Sequence, residues 1–171
     1  DHYLPVFQGD RLYKVRAKTC VLATGSSEQP VVFRNNDLPG VMLGSAMQRL
    51  IYRYAVQPAR RVLITAANED GYRLALDLLQ AGVQVLAIAD LRDTVPASAL
   101  VNAVREHGIK CLPGSGVYEA HADGRGELGA VTICRLDNGV ADTATALRFE
   151  CDGLAMSTGW TPAANLLYQS G

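Results

Sequence analysis

The residues whose types and spacing could do chemistry lie in Thr65-Ala66-Ala67-Asn68-Glu69-Asp70-Gly71 and at Asp90. The segment follows a short apolar run, Val62-Leu63-Ile64, and precedes Leu74, Ala75, Leu78 and Leu79 at helical spacing. A strand, a tight turn and a helix N-terminus together suit the pyrophosphate of a dinucleotide, because unpaired helix N–H groups and the helix dipole both favour an anion. A carboxylate at the end of the next strand then accepts the hydroxyls of the adenosine ribose. Asp90 closes the apolar run 83–89, 19 positions after Gly71, about the interval such an acid requires.

With Gly71 as the third glycine of this turn, the first two glycine positions are Ala66 and Asn68. Ala66 asks only for a slightly wider turn. Asn68 puts a side chain where the pyrophosphate would approach the backbone, although asparagine tolerates φ > 0 and can donate a hydrogen bond. Glu69 and Asp70 suit the positive end of the helix but compete with a phosphate there. From spacing alone, a nucleotide site and a strand–helix–strand unit that binds nothing both stay open. Asp90 favours NAD, since a carboxylate accepts both ribose hydroxyls and repels a 2′-phosphate; Arg92 nearby weakens that preference.

Two further points stand out because each is an apolar stretch running into Thr-Gly: residues 21–25, ending at Thr24-Gly25, and residues 154–159, ending at Thr158-Gly159. Glycine lets a strand end turn sharply and approach a ligand closely. Two such ends enclosing a whole nucleotide-binding unit predict one domain inserted into another.

The elements that must position these groups follow from periodicity. Residues 4–7 and 12–16 alternate as a hairpin around Gln8-Gly9-Asp10, and residues 17–23 read as a strand. Residues 25–41 read as loop, and Ser45 as the cap of a helix over 46–55. After the linker 57–60, strands are expected at 62–64, 83–89 and 109–112, with helices over 70–81 and 97–107. Gly82 is placed to end the first of these helices. A β-meander over 117–121, 129–136 and 146–149 and a last strand over 153–158 complete the reading.

Composition is consistent with this layered α/β fold. The chain has 171 residues, a formal net charge of −1 and only 6% aromatic residues. No basic stripe suggests a nucleic-acid partner. No apolar run approaches the ~20 residues needed to cross a bilayer, so no membrane partner is expected. Cys20, Cys111, Cys134 and Cys151 stand far apart and read as buried small hydrophobes suited to a reducing cytoplasm, with no metal site. The start at Asp1 and the stop at Gly171 read as the ends of a piece of a longer polypeptide.

Together these motifs resemble the two-dinucleotide-domain flavoproteins of the pyridine nucleotide–disulfide oxidoreductase type, in which an NAD domain is inserted into an FAD domain. Ala23-Thr24-Gly25 resembles the exit from the first part of the FAD domain, and Asp37-Leu38-Pro39-Gly40-Val41 the segment leading into the NAD domain. Gly159-Trp160-Thr161-Pro162 resembles the Gly-x-x-Pro return. A closer resemblance is to the α subunits of heterotetrameric sarcosine oxidases, whose NAD turn also reads Thr followed by Asn/Asp-rich residues. It implies FAD-domain pieces at 1–44 and 151–171 around a Rossmann-like NAD domain at 45–150. It also implies non-covalent NAD, FAD in the full-length parent, partner subunits of a hetero-oligomeric oxidase and a cytoplasmic location. Thr24, Gly25, Thr65–Gly71, Asp90, Arg92, Thr158 and Gly159 are then the cofactor-binding candidates. Subunits of opine oxidase and hydrogen cyanide synthase share this architecture, so the amine substrate stays open.

No catalytic residue is nominated. His2, His107 and His121 have no Ser, Cys or paired acid at a telling spacing, and Cys20 and Cys151 do not resemble the family's redox pair. Trp160 suits either the nucleotide cleft or domain packing, while Tyr52 and Tyr54 are expected in a core or interface. Two rival readings remain: a scaffold module with an empty nucleotide turn, and a one-domain methyltransferase-like fold.

Overall fold

A computed structural model describes residues 3–170; His2 and Gly171, with the expectations placed on them, lie outside the described residues. In chain order the elements are β1 (Leu4–Gln8), β2 (Arg11–Val15), β3 (Ser26–Glu28), β4 (Val41–Leu43), α1 (Gly44–Tyr54), β5 (Arg61–Ala66), α2 (Asp70–Gln80) and β6 (Gln84–Asp90). They continue with α3 (Ala99–Glu106), β7 (Lys110–Pro113), β8 (Ser115–Ala122), β9 (Leu128–Asp137), β10 (Val140–Glu150), β11 (Gly153–Ser157), β12 (Trp160–Pro162) and α4 (Asn165–Ser170). The chain divides into two compact units: Glu28–Gly159, and the described residues up to Ser27 together with those from Trp160 onward.

In the larger unit, β4-β11-β5-β6-β7 form a five-stranded sheet, and every adjacent pair is parallel. Parallel strands covered on both faces read as continuous apolar runs, and Val62, Leu63 and Ile64 are all fully buried. Alternation then sends side chains to opposite faces. Val62, Ile64 and Ala66 enter a core with Met47 of α1, Leu74, Ala75 and Leu78 of α2, and Val101 and Val104 of α3. Leu63, Ala87, Ala89 and Leu154 meet Ala120, Leu128, Val131 and Ile133 of the antiparallel β8-β9-β10 sheet. The unit is thus a helix layer, a parallel sheet and a β-meander.

Local signals explain most boundaries. Gly82, at φ +76°, follows α2 in the left-handed conformation and lets Val83 N–H return to the Leu78 carbonyl at 2.9 Å. Ser98 caps α3 by accepting the Val101 N–H, and Asn138-Gly139, both at positive φ, turn β9 into β10. The expected Ser45 cap is not formed. The α1 N-cap is Leu43, and the buried Glu28 carboxylate reaches across from a distant segment to accept the Ser45 N–H at 2.7 Å. A carboxylate there also meets the positive end of the helix dipole. Within the expected loop 25–41, β3 and the first residue of β4 are strand, because backbone partners distant in sequence complete them.

In the smaller unit, β1 and β2 pair antiparallel from Leu4↔Val15 to Gln8↔Arg11. Residues 17–23, expected as a strand, are irregular: no strand among the described residues pairs with them. Strand geometry depends on such a partner, since unpaired extended backbone leaves its N–H and C=O groups to water. Cys20 is accordingly exposed, against the expectation of burial, whereas Cys134 and Cys151 are buried and all four cysteines are free. Tyr52 and Tyr54 also depart from a core placement, at 62% and 60% exposure. No helix among the described residues is long and apolar enough to cross a membrane.

Candidate functional site

The turn between β5 and α2 stands at the carboxyl edge of the parallel sheet, where open α/β sheets bind ligands. Two neighbours in space are fixed by backbone bonds. Leu91 N–H donates to the Ala66 carbonyl at 2.8 Å, holding the end of β6 against the turn. Ala67 N–H donates to the Ser157 carbonyl at 3.1 Å, holding the end of β11 on the other side. Residues 65–71, Asp90, Arg92 and the Thr158-Gly159 strand end are therefore assembled at one edge.

Close packing under the turn is maintained by Gly71. A Cβ built there would lie 2.6 Å from the Ala66 Cβ, so helix α2 approaches β5 as closely as a dinucleotide turn requires. The missing first glycine is consistent with this: the Ala66 methyl is fully buried and fills the space that Gly71 leaves. Asn68 has a different use. Its Oδ1 accepts the Asp70 N–H at 3.0 Å, satisfying a first-turn donor that the helix itself cannot satisfy. Thr65, on the meander side of β5, is fully buried, and its Oγ1 has no hydrogen-bond partner among the described residues.

Asp90 is placed as expected but is not open. Its carboxylate is fully buried and holds four hydrogen bonds. Oδ1 accepts Arg92 N–H at 3.0 Å and Arg92 Nε–H at 2.9 Å. Oδ2 accepts Arg92 Nη2–H at 2.6 Å and the Tyr72 hydroxyl at 2.9 Å. Four donors saturate the lone pairs of a carboxylate, leaving none for two ribose hydroxyls. Burial and the hydrogen bond to Asp90 push the Tyr72 hydroxyl far above its ordinary range, so it stays a neutral donor. The same carboxylate raises Arg92 further, and 27% of the Arg92 side chain stays exposed. Sequence reading missed Tyr72. The available signal is a tyrosine on the inward face of α2, whose hydroxyl must find a partner when buried.

The two Thr-Gly pairs take different partners. Thr158 Oγ1 donates to the Gln29 carbonyl at 3.0 Å, and Gln29 N–H returns to the Gly159 carbonyl at 2.9 Å. In the smaller unit, Thr24 Oγ1 donates to the Ala163 carbonyl and Ala163 N–H donates to the Gly25 carbonyl at 2.9 Å. Thr24 and Gly25 line an open hollow of about 240 Å³ with Pro162 and Leu167.

An open cavity of about 550 Å³ lies instead at the amino ends of β4, β5 and β11, beside Gly40, Arg60, Asp123 and Asp152. Its polar groups are largely occupied. Asp152 accepts Arg60 and Arg61 N–H groups at 2.7–3.1 Å, and Asp123 accepts those of Arg125 and Glu127. Its lining residues include no helix N-terminus to meet a phosphate, so the carboxyl-edge turn is the better nucleotide candidate.

The remaining chemistry is sparse. No cluster of metal-ligating side chains occurs among the described residues. His107 caps the C-terminus of α3, and His121 Nε2 bonds the Thr132 hydroxyl at 2.8 Å.

Comparison with known proteins is consistent with this geometry. Residues 6–171 match the family model described as pyridine nucleotide-disulphide oxidoreductase. The sarcosine oxidase subunit alpha of Corynebacterium sp. is 38% identical over 157 residues, covering 92% of this chain. That of Rhizobium meliloti is 36% identical over 174 residues, covering 99% of it. The chain spans only 16% and 15% of those relatives' lengths. Among solved structures, a thioredoxin reductase of Lactococcus lactis superposes with a TM-score of 0.70 at 18% identity, covering all of this chain and 54% of the other.

Proposed function

Because the chain belongs to the pyridine nucleotide-disulphide oxidoreductase family, we propose that its larger unit holds NAD at the turn 65–71 within a flavin-dependent amine-oxidising enzyme of the sarcosine oxidase type. The observation that carries this reading is the Gly71–Ala66 contact, a 2.6 Å Cβ clearance that only a glycine at the third fingerprint position permits. In this reading the NAD domain runs from Glu28 to Gly159, since β4 and β11 belong to the parallel sheet. The flanking residues contribute to an FAD domain, and Thr24-Gly25 and Thr158-Gly159 are the seams of the insertion. Asn68, Glu69 and Asp70 border the pyrophosphate. NAD and FAD supply hydride and electron transfer when bound; this chain's residues bind and orient. Amine oxidation takes place outside it, in an assembly with other subunits.

A second reading, an assembly module whose turn stays empty, is favoured by one observation: the four acceptor positions of Asp90 are filled internally, and Asn68 Oδ1 is engaged by the Asp70 N–H. The methyltransferase-like alternative falls with the family membership. Calorimetric titration of NAD into the full-length protein separates the two that remain. Asn68→Asp adds a negative charge beside the pyrophosphate at constant size and lowers affinity roughly tenfold or more. Asn68→Gly opens the turn and raises it. Absence of NAD binding, or identical affinity in both variants, supports the empty module.

A further inference from the structure

An acid at the end of the second strand ordinarily selects NAD over its 2′-phosphorylated form for two reasons: it accepts the ribose hydroxyls and its charge repels the phosphate. Both require an unpaired carboxylate. Here the Asp90 carboxylate has neither property. Its four acceptor positions are filled by Tyr72 and Arg92, and its charge is matched at 2.6 Å by the Arg92 guanidinium. Asp90 is fully buried, while Arg92 remains part-exposed beside the turn that would hold the pyrophosphate.

We propose that Arg92, not Asp90, decides which adenine dinucleotide this site takes, so that the site accepts a ribose bearing a 2′-phosphate nearly as readily as a free ribose. Asp90 and Tyr72 are positioning residues. Arg92 presents Nε and Nη2 to the Asp90 carboxylate, which fixes the plane of the guanidinium. The Nη1 edge takes no part in that pair. A planar cation held in this way is suited to phosphate oxygens, and it screens the one carboxylate that would repel them. The Tyr72 hydroxyl completes the carboxylate and stays neutral in any physiological range, so the arrangement does not depend on its titration.

This inference rests on the turn 65–71 being the NAD site, and its test separates the two claims. NAD and NADP are titrated calorimetrically into the full-length protein freed of resident nucleotide, as wild type and as Arg92→Met. The wild type binds NADP within about tenfold of NAD. Arg92→Met leaves Asp90 bare and raises the preference for NAD more than threefold, by roughly tenfold on electrostatic grounds. Arg92→Lys keeps the charge but not the planar fork, and gives a ratio between those of the wild type and Arg92→Met. If the methionine variant does not fold, Arg92→Gln, which still donates to Asp90 without the charge, carries the same expectation. Binding of both nucleotides with a ratio that stays within threefold in the neutral variants overturns the role of Arg92 alone. So does a wild type that rejects NADP by more than tenfold. Failure of both nucleotides to bind overturns the site itself and this inference with it.

Discussion

Replacing Gly71 with alanine tests the packing on which the nucleotide reading depends. The new Cβ would stand 2.6 Å from the Ala66 Cβ, inside any real contact distance, and the next atoms, Ala66 Cα and Ile64 Cγ2, lie at 3.6 Å. None of these is the free end of a flexible side chain, so α2 must move away from β5. Overpacking of this kind costs ~1–3 kcal/mol. Alanine gains ~1 kcal/mol over glycine in a helix, so the net loss is about 0–2 kcal/mol. Deleting the opposing methyl discriminates between steric and other causes. Ala66→Gly alone costs ~1–1.5 kcal/mol for the lost buried methyl and the added chain entropy. In the double variant the clash is gone and the helix gain remains, so the two changes couple by ~1–3 kcal/mol in the relieving direction. Chemical denaturation of the four proteins measures this cycle. Strictly additive effects of the two changes would refute the argument.

Other consequences are open to direct measurement. Glu28→Ala removes the remote carboxylate that caps α1 and lowers stability by ~1–2 kcal/mol in denaturation, with Glu28→Gln losing less. Ala55 ends α1 in the left-handed conformation at φ +53°, so Ala55→Gly stabilises by ~0.5–1 kcal/mol, read in the same assay. Burial pushes the Cys151 thiol up to about 12, leaving about one thiolate in ten thousand at pH 8. Alkylation followed by mass spectrometry should modify the exposed Cys20 and spare Cys151 until the protein unfolds. Backbone N–H groups of Arg125 and Glu127 hold the Asp123 carboxyl below its ordinary value. The turn they form is held above the ordinary carboxylate range and loosens as pH falls through the lower folded value, as amide exchange at residues 125–127 would show.

The parallel core was legible because its rules are local. Residues 62–64 are wholly apolar, Leu74, Ala75 and Leu78 repeat at helical spacing, and Gly82 marks a helix end; each acts through its own neighbours in the chain. The three-stranded meander was legible for the same reason, through Asn138-Gly139. What escaped was set by distant partners. Glu28 replaces Ser45 at the start of α1 from 17 residues away. Strand β3 exists only through β12, and residues 17–23 remain irregular for want of a partner. At the site the location of Asp90 was readable and its condition was not. Spacing places an acid at the end of β6, but whether its lone pairs are free depends on a tyrosine 18 residues earlier and an arginine two residues later, both turned inward on it. Such a network changes the meaning of a motif without changing its letters.

Amide hydrogen exchange of the full-length protein with and without saturating NAD tests the central claim most directly, because it reports where the nucleotide sits. Protection is expected to concentrate at residues 67–73 and 91–93, around the turn and Arg92. Protection confined to the cavity at the opposite sheet edge, near Arg60, Asp123 and Asp152, or no protection anywhere in Glu28–Gly159, would contradict it.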